Sequence, residues 1–275
     1  MDKNTNVLLQ AQDISLRFGG VHALSNVSYD IKKGEIFSII GPNGAGKTSM
    51  LNCISGRYTP TSGEILLNGK SLKGYSVNDR AGLGIGRTFQ NLALFGHMSV
   101  LDNIMVGRHH QLKNNFLNGM FYWLGGAQKE EIIERRKVED IIDFLEIQHV
   151  RNKPAGELSY GLRKRVELAR AVAQSPQIIL LDEPMAGMNL EEKEDMARYI
   201  IDLNQELGMT IVMIEHDMGV VIDISDRVMV LDFGRQIALG LPEEVMQNEH
   251  VKKAYLGEED DYIRELEEDD AEVMS

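Results

Sequence analysis

Residues 41–48 read GPNGAGKT. A glycine, four residues, then Gly-Lys-Ser/Thr is the pattern, and Gly41, Gly46, Lys47 and Thr48 complete it. An apolar, β-branched run, Ile36-Phe37-Ser38-Ile39-Ile40, enters the stretch. A helix-like segment over 48–55 leaves it and meets Gly56 as a C-cap. Strand, glycine loop and helix in that order predict a phosphate-binding loop and not a chance Gly-rich turn. Its glycines let successive backbone N–H groups turn toward one anion, and the helix N-terminus behind them favours negative charge. The candidate cradle is therefore Gly41, Pro42, Asn43, Gly44, Ala45, Gly46, Lys47 and Thr48. Lys47 is placed to reach the β- and γ-phosphates of a nucleotide, and Thr48 to hold Mg²⁺.

Four later stretches say what kind of nucleotide machine this is. Gln90 follows Arg87-Thr88-Phe89. Residues 158–170 read LSYGLRKRVELAR. Residues 177–184 read QIILLDEP, an apolar run into Asp182 and Glu183. His216 ends a β-like run, TIVMIE, over 210–215. Asp182 ends a buried strand, the place where open α/β sheets bind ligands, and a carboxylate there can hold the water shell of Mg²⁺. Glu183 beside it is the candidate to polarise an attacking water. Read alone, Asp182-Glu183 is equally a strand-end charge pair, and His216 an ordinary strand-end histidine.

The order of phosphate loop, Gln, Ser-x-Gly helix, Asp-Glu strand and His strand resembles the ATP-binding cassette of ABC proteins, over residues 8–257. The resemblance implies an α/β P-loop NTPase cassette: a RecA-like core, a small antiparallel β-subdomain and a helical signature subdomain. It implies ATP and Mg²⁺ as ligands, with Gln90 touching metal and water and His216 contacting the γ-phosphate. Phe18 lies where the family places an aromatic against adenine; on pattern alone it is a strand-end hydrophobe.

The signature segment departs from the family's common Leu-Ser-Gly-Gly-Gln, reading Leu-Ser-Tyr-Gly-Leu. Ser159 and Gly161 remain, a hydroxyl and a bare backbone N–H at a helix N-terminus, which suit an anion. Ser159 reads as the N-cap of the same helix. Leu162 removes an amide. In the family this segment completes the ATP site of the opposite subunit, so the resemblance implies a head-to-tail dimer. Residues 185–189 (MAGMN) occupy the loop that crosses that interface, with Asn189 where Asp is common.

Composition bounds the rest. A chain of 275 residues has room for one cassette, read as 7–257 with a β-region over 8–33 and 63–72 and a helical region over 99–156. One cysteine, Cys53, excludes an internal disulfide; it reads as a small buried residue of the helix after the loop. His109 and His110 read as surface residues. Residues 1–6 lack an apolar signal core, and no run approaches the roughly 20 apolar residues of a membrane span. A cytoplasmic chain is expected. Net charge is −13, which argues against a nucleic-acid partner; residues 258–275 carry −9 of it and read as an acidic, disordered tail or as a regulatory tail that docks on basic residues of a partner.

Within ABC proteins, residues 84–95 (GIGRTFQNLALF), 98–109 (MSVLDNIMVGRH), 214–218 (IEHDM) and 242–257 (PEEVMQNEHVKKAYLG) resemble the importer ATPase for branched-chain and other hydrophobic amino acids. The implied partners are integral membrane permeases, a second ATPase, like or unlike, and an extracytoplasmic solute-binding protein acting indirectly. The implied seat is peripheral, on the inner face of the cell membrane. A lipid or lipopolysaccharide exporter and a soluble assembly ATPase are the alternatives. Leu92, Leu94, Phe95 and Met98 either form the groove that receives a permease helix or belong to the core of the helical region. The aromatic cluster at 116–124 (FLNGMFYWL) fits a partner surface as well as a core.

Overall fold

The computed structural model describes residues 6–88, 93–108 and 126–255. They form two compact units: residues up to Gly74 with those from Val212 onward, and Tyr75–Ile211. Gln90, Leu92, the two adjacent histidines, the cluster at 116–124 and the acidic tail lie outside the described residues.

The first unit opens with a four-stranded antiparallel sheet in the order β2-β1-β4-β5, built from β1 (Val7–Phe18), β2 (Val21–Lys32), β4 (Ser62–Leu67) and β5 (Lys70–Ser71). Gly19-Gly20 closes the β1–β2 hairpin, pairing Phe18 with Val21. The register slips between Ala11 and Ile14, where Asp13 takes a φ of 49°. Its backbone N–H donates to Ser28 Oγ (2.8 Å) and its carboxylate accepts from the same hydroxyl (3.0 Å), so a bulge is bound where the ladder breaks.

A second set of strands carries the phosphate loop. β3 (Ile36–Ile40) is buried throughout, as a strand covered on both faces must be, and runs parallel to β9 (Arg227–Asp232) with Ile39 opposite Met229. β9 turns antiparallel into β10 (Arg235–Gly240). Arg227 fixes the start of this pair. Its guanidinium pairs with the buried Glu35 and donates to Asp30 O at 2.7 Å, while Ile36 N–H donates to Asp226 Oδ2 at 2.8 Å. From the loop runs α1 (Lys47–Ser55), closed by Gly56 at φ 81°, with Cys53 fully buried inside it. α7 (Met218–Ile224) and α8 (Pro242–Gln247) complete this unit.

In the second unit β6 (Ile85–Arg87) lies parallel to the wholly buried β7 (Ile178–Asp182), with Arg87 opposite Leu180. β8 (Thr210–Ile214) runs through the boundary between units. Around β6 and β7 the unit is helical: α2 (Val77–Gly82), α3 (Val100–Gly107), α4 (Gly126–Phe144), α5 (Tyr160–Val172) and α6 (Leu190–Gln205). The backbones of α3 and α5 approach closely; a methyl on Gly107 would sit 2.4 Å from Arg170 O. The buried Arg108 pairs with Glu134 on α4 and donates to Ala173 O (2.6 Å) and Ser175 Oγ (2.7 Å), tying α3 to α4 and the end of α5. Among the described residues no helix is long and apolar enough to cross a membrane.

The segment before α3 is bound to backbone of residues 155–156 through Ala155 N–H to Met98 O (2.9 Å) and Gly156 N–H to Gly96 O (2.9 Å), and Asn103 adds the most side-chain bonds to it. Asn103, fully buried, accepts from Phe95 N–H (2.9 Å) and donates to the carbonyls of Phe95 (3.0 Å), Met98 (3.3 Å) and Ser99 (3.0 Å). Phe95 itself is 53% exposed, and Leu94 and Met98 are half-buried. Phe95 is therefore not core; the backbone is anchored by an amide and the ring is left outside. Asn103→Ala strands several polar groups in the interior and is expected to cost about 1–3 kcal/mol, read by urea denaturation of the full chain.

Candidate nucleotide site

The phosphate loop is shaped by backbone lying on backbone. Gly41 adopts φ 143°, and a methyl built there would meet Leu231 O of β9 at 2.0 Å. Gly46 adopts φ 100°, and a methyl there would meet Ala23 O of β2 at 2.5 Å. No L side chain fits either place. The β9–β10 turn clasps the loop from outside: Gly234 N–H donates to Ala45 O at 3.0 Å, and Ser25 N–H donates to Gly234 O at 2.8 Å. The N-cap of α1 is a glycine, Gly46, which offers no side-chain cap, and a helix N-terminus of this kind suits an anion. Lys47 is 6% exposed, and its Nζ donates to Gly41 O (2.6 Å) and Pro42 O (2.8 Å). The ammonium thus lies across the mouth of its own loop, where a polyphosphate would need it.

In the second unit β7 delivers Asp182 and Glu183. Asp182 is 1% exposed. Its Oδ2 accepts from Arg87 Nη2 at 3.1 Å, and its Oδ1, buried, has no hydrogen-bond partner among the described residues. Burial, with a smaller push from Glu183, holds the carboxyl above its ordinary value; Arg87, and to a lesser degree Lys164, offset only part of that rise. A buried carboxylate with one oxygen held and one unsatisfied suits a cation or its water shell, so the donor set fits Mg²⁺. Glu183 turns away at φ 51°, left-handed backbone that costs a non-glycine residue about 1–2 kcal/mol. Its carbonyl accepts from Ala186 N–H (3.3 Å) and from Lys164 Nζ (3.2 Å).

Ser159 caps α5, its Oγ accepting from Leu162 N–H at 3.4 Å. The hydroxyl keeps its own proton to donate. Gly161 lies against Glu192; a methyl there would sit 2.3 Å from Glu192 Oε1. Glu192 is engaged in turn with Asn189 in a capping box that starts α6: Glu192 N–H donates to Asn189 Oδ1 at 2.9 Å, and Asn189 N–H to Glu192 Oε2 at 3.2 Å.

Comparison with known proteins identifies the family. The family model for the ABC transporter matches residues 24–186, and that for the branched-chain amino acid ATP-binding cassette transporter matches residues 235–261. The chain is 39% identical over 254 residues to the high-affinity branched-chain amino acid transport ATP-binding protein BraF of Pseudomonas aeruginosa, covering 91% of this chain and 98% of that one. The chain belongs to the ABC transporter ATP-binding family. A solved nucleotide-free ATP-binding cassette from an ABC transporter superposes with a TM-score of 0.79 at 32% identity, covering 90% of this chain and 98% of that one. A dimeric cassette in a post-hydrolysis state, bound to ADP and phosphate, matches with a TM-score of 0.72 at 27% identity, covering 86% and 99%. The fold is therefore the α/β P-loop ABC cassette, and the chain is an ATP-binding ATPase of the transport-energising kind.

The remaining candidates fall in the cassette as follows. The loop, Phe18 and His216 belong to the first unit; Asp182, Glu183, Ser159 and Gly161 belong to the second. Phe18 is 47% exposed at the end of β1 and meets Tyr58 edge-on, ring centroids 5.1 Å apart. His216 is exposed between β8 and α7, its N–H donating to Glu215 Oε2 at 3.2 Å. Arg87, Lys164 and Tyr58 were not singled out by pattern. Arg87 stands three residues before Gln90 and Lys164 is one cation among several on α5, so only burial distinguishes them. Gly41→Ala is expected to weaken ATP binding at least about tenfold, since its Cβ must displace Leu231 O. Equilibrium titration with a fluorescent ATP analogue, with circular dichroism as the fold control, measures this.

Proposed function

We propose that this ATPase energises an importer of branched-chain or related hydrophobic amino acids, seated on the cytoplasmic face of the membrane beneath two integral permeases and fed indirectly by an extracytoplasmic binding protein. The observation that carries the solute class is the match of residues 235–261 to the branched-chain amino acid cassette model, beside the likeness to BraF along 91% of the chain. Residues 7–257 act as one cassette with a helical region over 99–156, and 258–275 as an acidic tail.

The first N–H groups of α1 and the Lys47 ammonium bind the β- and γ-phosphates. Phe18 stacks on the adenine. Thr48, Asp182 and Gln90 would hold Mg²⁺, which when bound neutralises charge on the phosphate oxygens. Glu183 orients the attacking water and draws on its proton, and His216 steadies the γ-phosphate. The Ser159 hydroxyl and the Gly161 N–H capture the γ-phosphate held by a second ATPase, like or unlike, so ATP closes a head-to-tail dimer. Closure drives the permeases outward-open, and hydrolysis releases them. Phe95, with Leu92, Leu94 and Met98, receives a short permease helix; the exposed ring on a rigidly held backbone supports this reading.

Glu183→Gln is expected to lower turnover by roughly 10²- to 10⁴-fold and to accumulate an ATP-bound dimer, seen by light scattering. Wild-type hydrolysis by that variant removes Glu183 from its role. Phe95→Asp is expected to retain soluble ATPase activity but lose the membrane subunits. Capture of the native chain from detergent-extracted membranes tests the whole assignment. Recovery of two permeases and a second short ATPase supports the importer; export-type subunits, or soluble partners alone, refute it.

A further inference from the structure

Two features of the second unit remain unassigned. Lys164, on the first turns of α5, is 4% exposed, yet its ammonium is directed at a backbone carbonyl, that of Glu183, at 3.2 Å. Tyr160, one of the two residues that depart from the common signature pattern, sits one helical turn before it, with Lys164 Nζ 5.9 Å from its ring centroid. The same ring lies against the loop that follows Glu183: a methyl on Gly187 would be 3.2 Å from Tyr160 Cε1. So ring, ammonium and carbonyl join the signature helix to the turn that begins at Glu183.

We propose that Lys164 is a positioning residue for hydrolysis: from α5 it holds the Glu183 carbonyl and so fixes the left-handed turn that sets the glutamate side chain, with Tyr160 seating the ammonium. This rests on the reading of Glu183 as the residue that orients the attacking water. Glu183 at φ 51° sits in sparsely populated backbone, which persists only where its surroundings over-determine it. Ala186 N–H makes a turn bond to that carbonyl at 3.3 Å. A charge-assisted bond from a buried cation to the second lone pair is the stronger constraint. An ammonium taken out of water at this place is also costly unless it is paired, so the bond serves both partners. Because Ser159 begins the same helix, the segment that captures one nucleotide is tied directly to the glutamate that acts on the other.

The test uses the full chain and ATP. Lys164→Met is expected to lower kcat about tenfold to a hundredfold, with the Kd for a fluorescent ATP analogue unchanged within about twofold. Lys164→Arg, which keeps a charged donor, is expected to recover most of the rate. Should Met not be tolerated, Lys164→Gln, uncharged and one atom shorter, is expected to show the same split between kcat and Kd. In a Glu183→Gln background, measured by single turnover, Lys164→Met should add no further loss, because both changes act through one residue. Losses that multiply in that background, or equal losses of kcat and ATP affinity, overturn the proposal and leave Glu183's role intact. A Glu183→Gln chain that turns over at the wild-type rate removes the glutamate's role itself, and the proposal with it.

Discussion

The phosphate loop exists in its working shape because its backbone lies directly on its neighbours. At Gly41 the space between the loop and Leu231 O is too small for one methyl group, and at Gly46 the same holds against Ala23 O. Main chain fixed by main chain leaves the loop few ways to relax, so its N–H groups stay aimed when no anion holds them. That contact depends on where β3 and β9 lie. Their alignment is set at the far end of the strands, where Arg227 joins Asp30 and the buried Glu35. An ion pair at the foot of the sheet thus helps place an anion cradle at its top. Breaking it by removing one partner would leave a buried charge uncompensated, the expensive kind of change.

The second unit meets the opposite problem, how to keep two adjacent carboxylates at the end of a buried strand. Burial disfavours the charged form of Asp182, and Arg87 offsets part of that penalty from the neighbouring strand. The help is incomplete, because among the described residues Oδ1 is left without a hydrogen bond. A fully satisfied carboxylate would be stable and inert; a half-satisfied one is poised for a cation. Glu183 is handled differently. Its backbone is constrained instead, through the carbonyl shared by Ala186 and Lys164. Neutralising a side chain and fixing a backbone are separate devices, and the unit applies one to each neighbour.

What could be read in advance follows from this distinction. Strand, loop and helix around residues 41–56 are encoded locally, by β-branched residues, glycines at fixed offsets and a C-capping glycine, and α1 begins at Lys47, one residue before the helix read from pattern. The Asp-Glu pair at the end of an apolar run was legible for the same reason. Arg87 and Asp182 are 95 positions apart and meet only because β6 lies beside β7 in register, which no local pattern states. Lys164 and Asn103 are invisible on similar grounds: each is a polar residue in a helix until burial and its partners are known. The cap at Asn189 was legible locally, since Asn-x-x-Glu at the start of an amphipathic helix is a capping box. For Leu94, Phe95 and Met98 the apolar pattern allowed a core or a surface. The structure decides against a core for Phe95 because an amide anchors its backbone and leaves no packing duty to the ring.

The departures from the common signature pattern become intelligible when taken together. Tyr160 occupies the space over Gly187, Gly161 gives way to Glu192, and Glu192 completes the cap with Asn189. An aspartate at position 189 would also cap α6, but it would place a second negative charge beside Glu192, where the amide places none. The bulk added at position 160 is accommodated by a glycine in the following loop, which no larger residue could replace without moving the ring. Leu162 loses a side-chain amide, yet the backbone N–H that matters there is already used by the Ser159 cap. These residues are parts of one packing arrangement between α5, the 185–189 loop and α6, and each substitution is met by its neighbours. The two groups an anion needs, the Ser159 hydroxyl and the Gly161 N–H, keep their places at the start of α5. Departure from the pattern has altered how the signature is supported, while the Ser159 cap that starts α5 is kept.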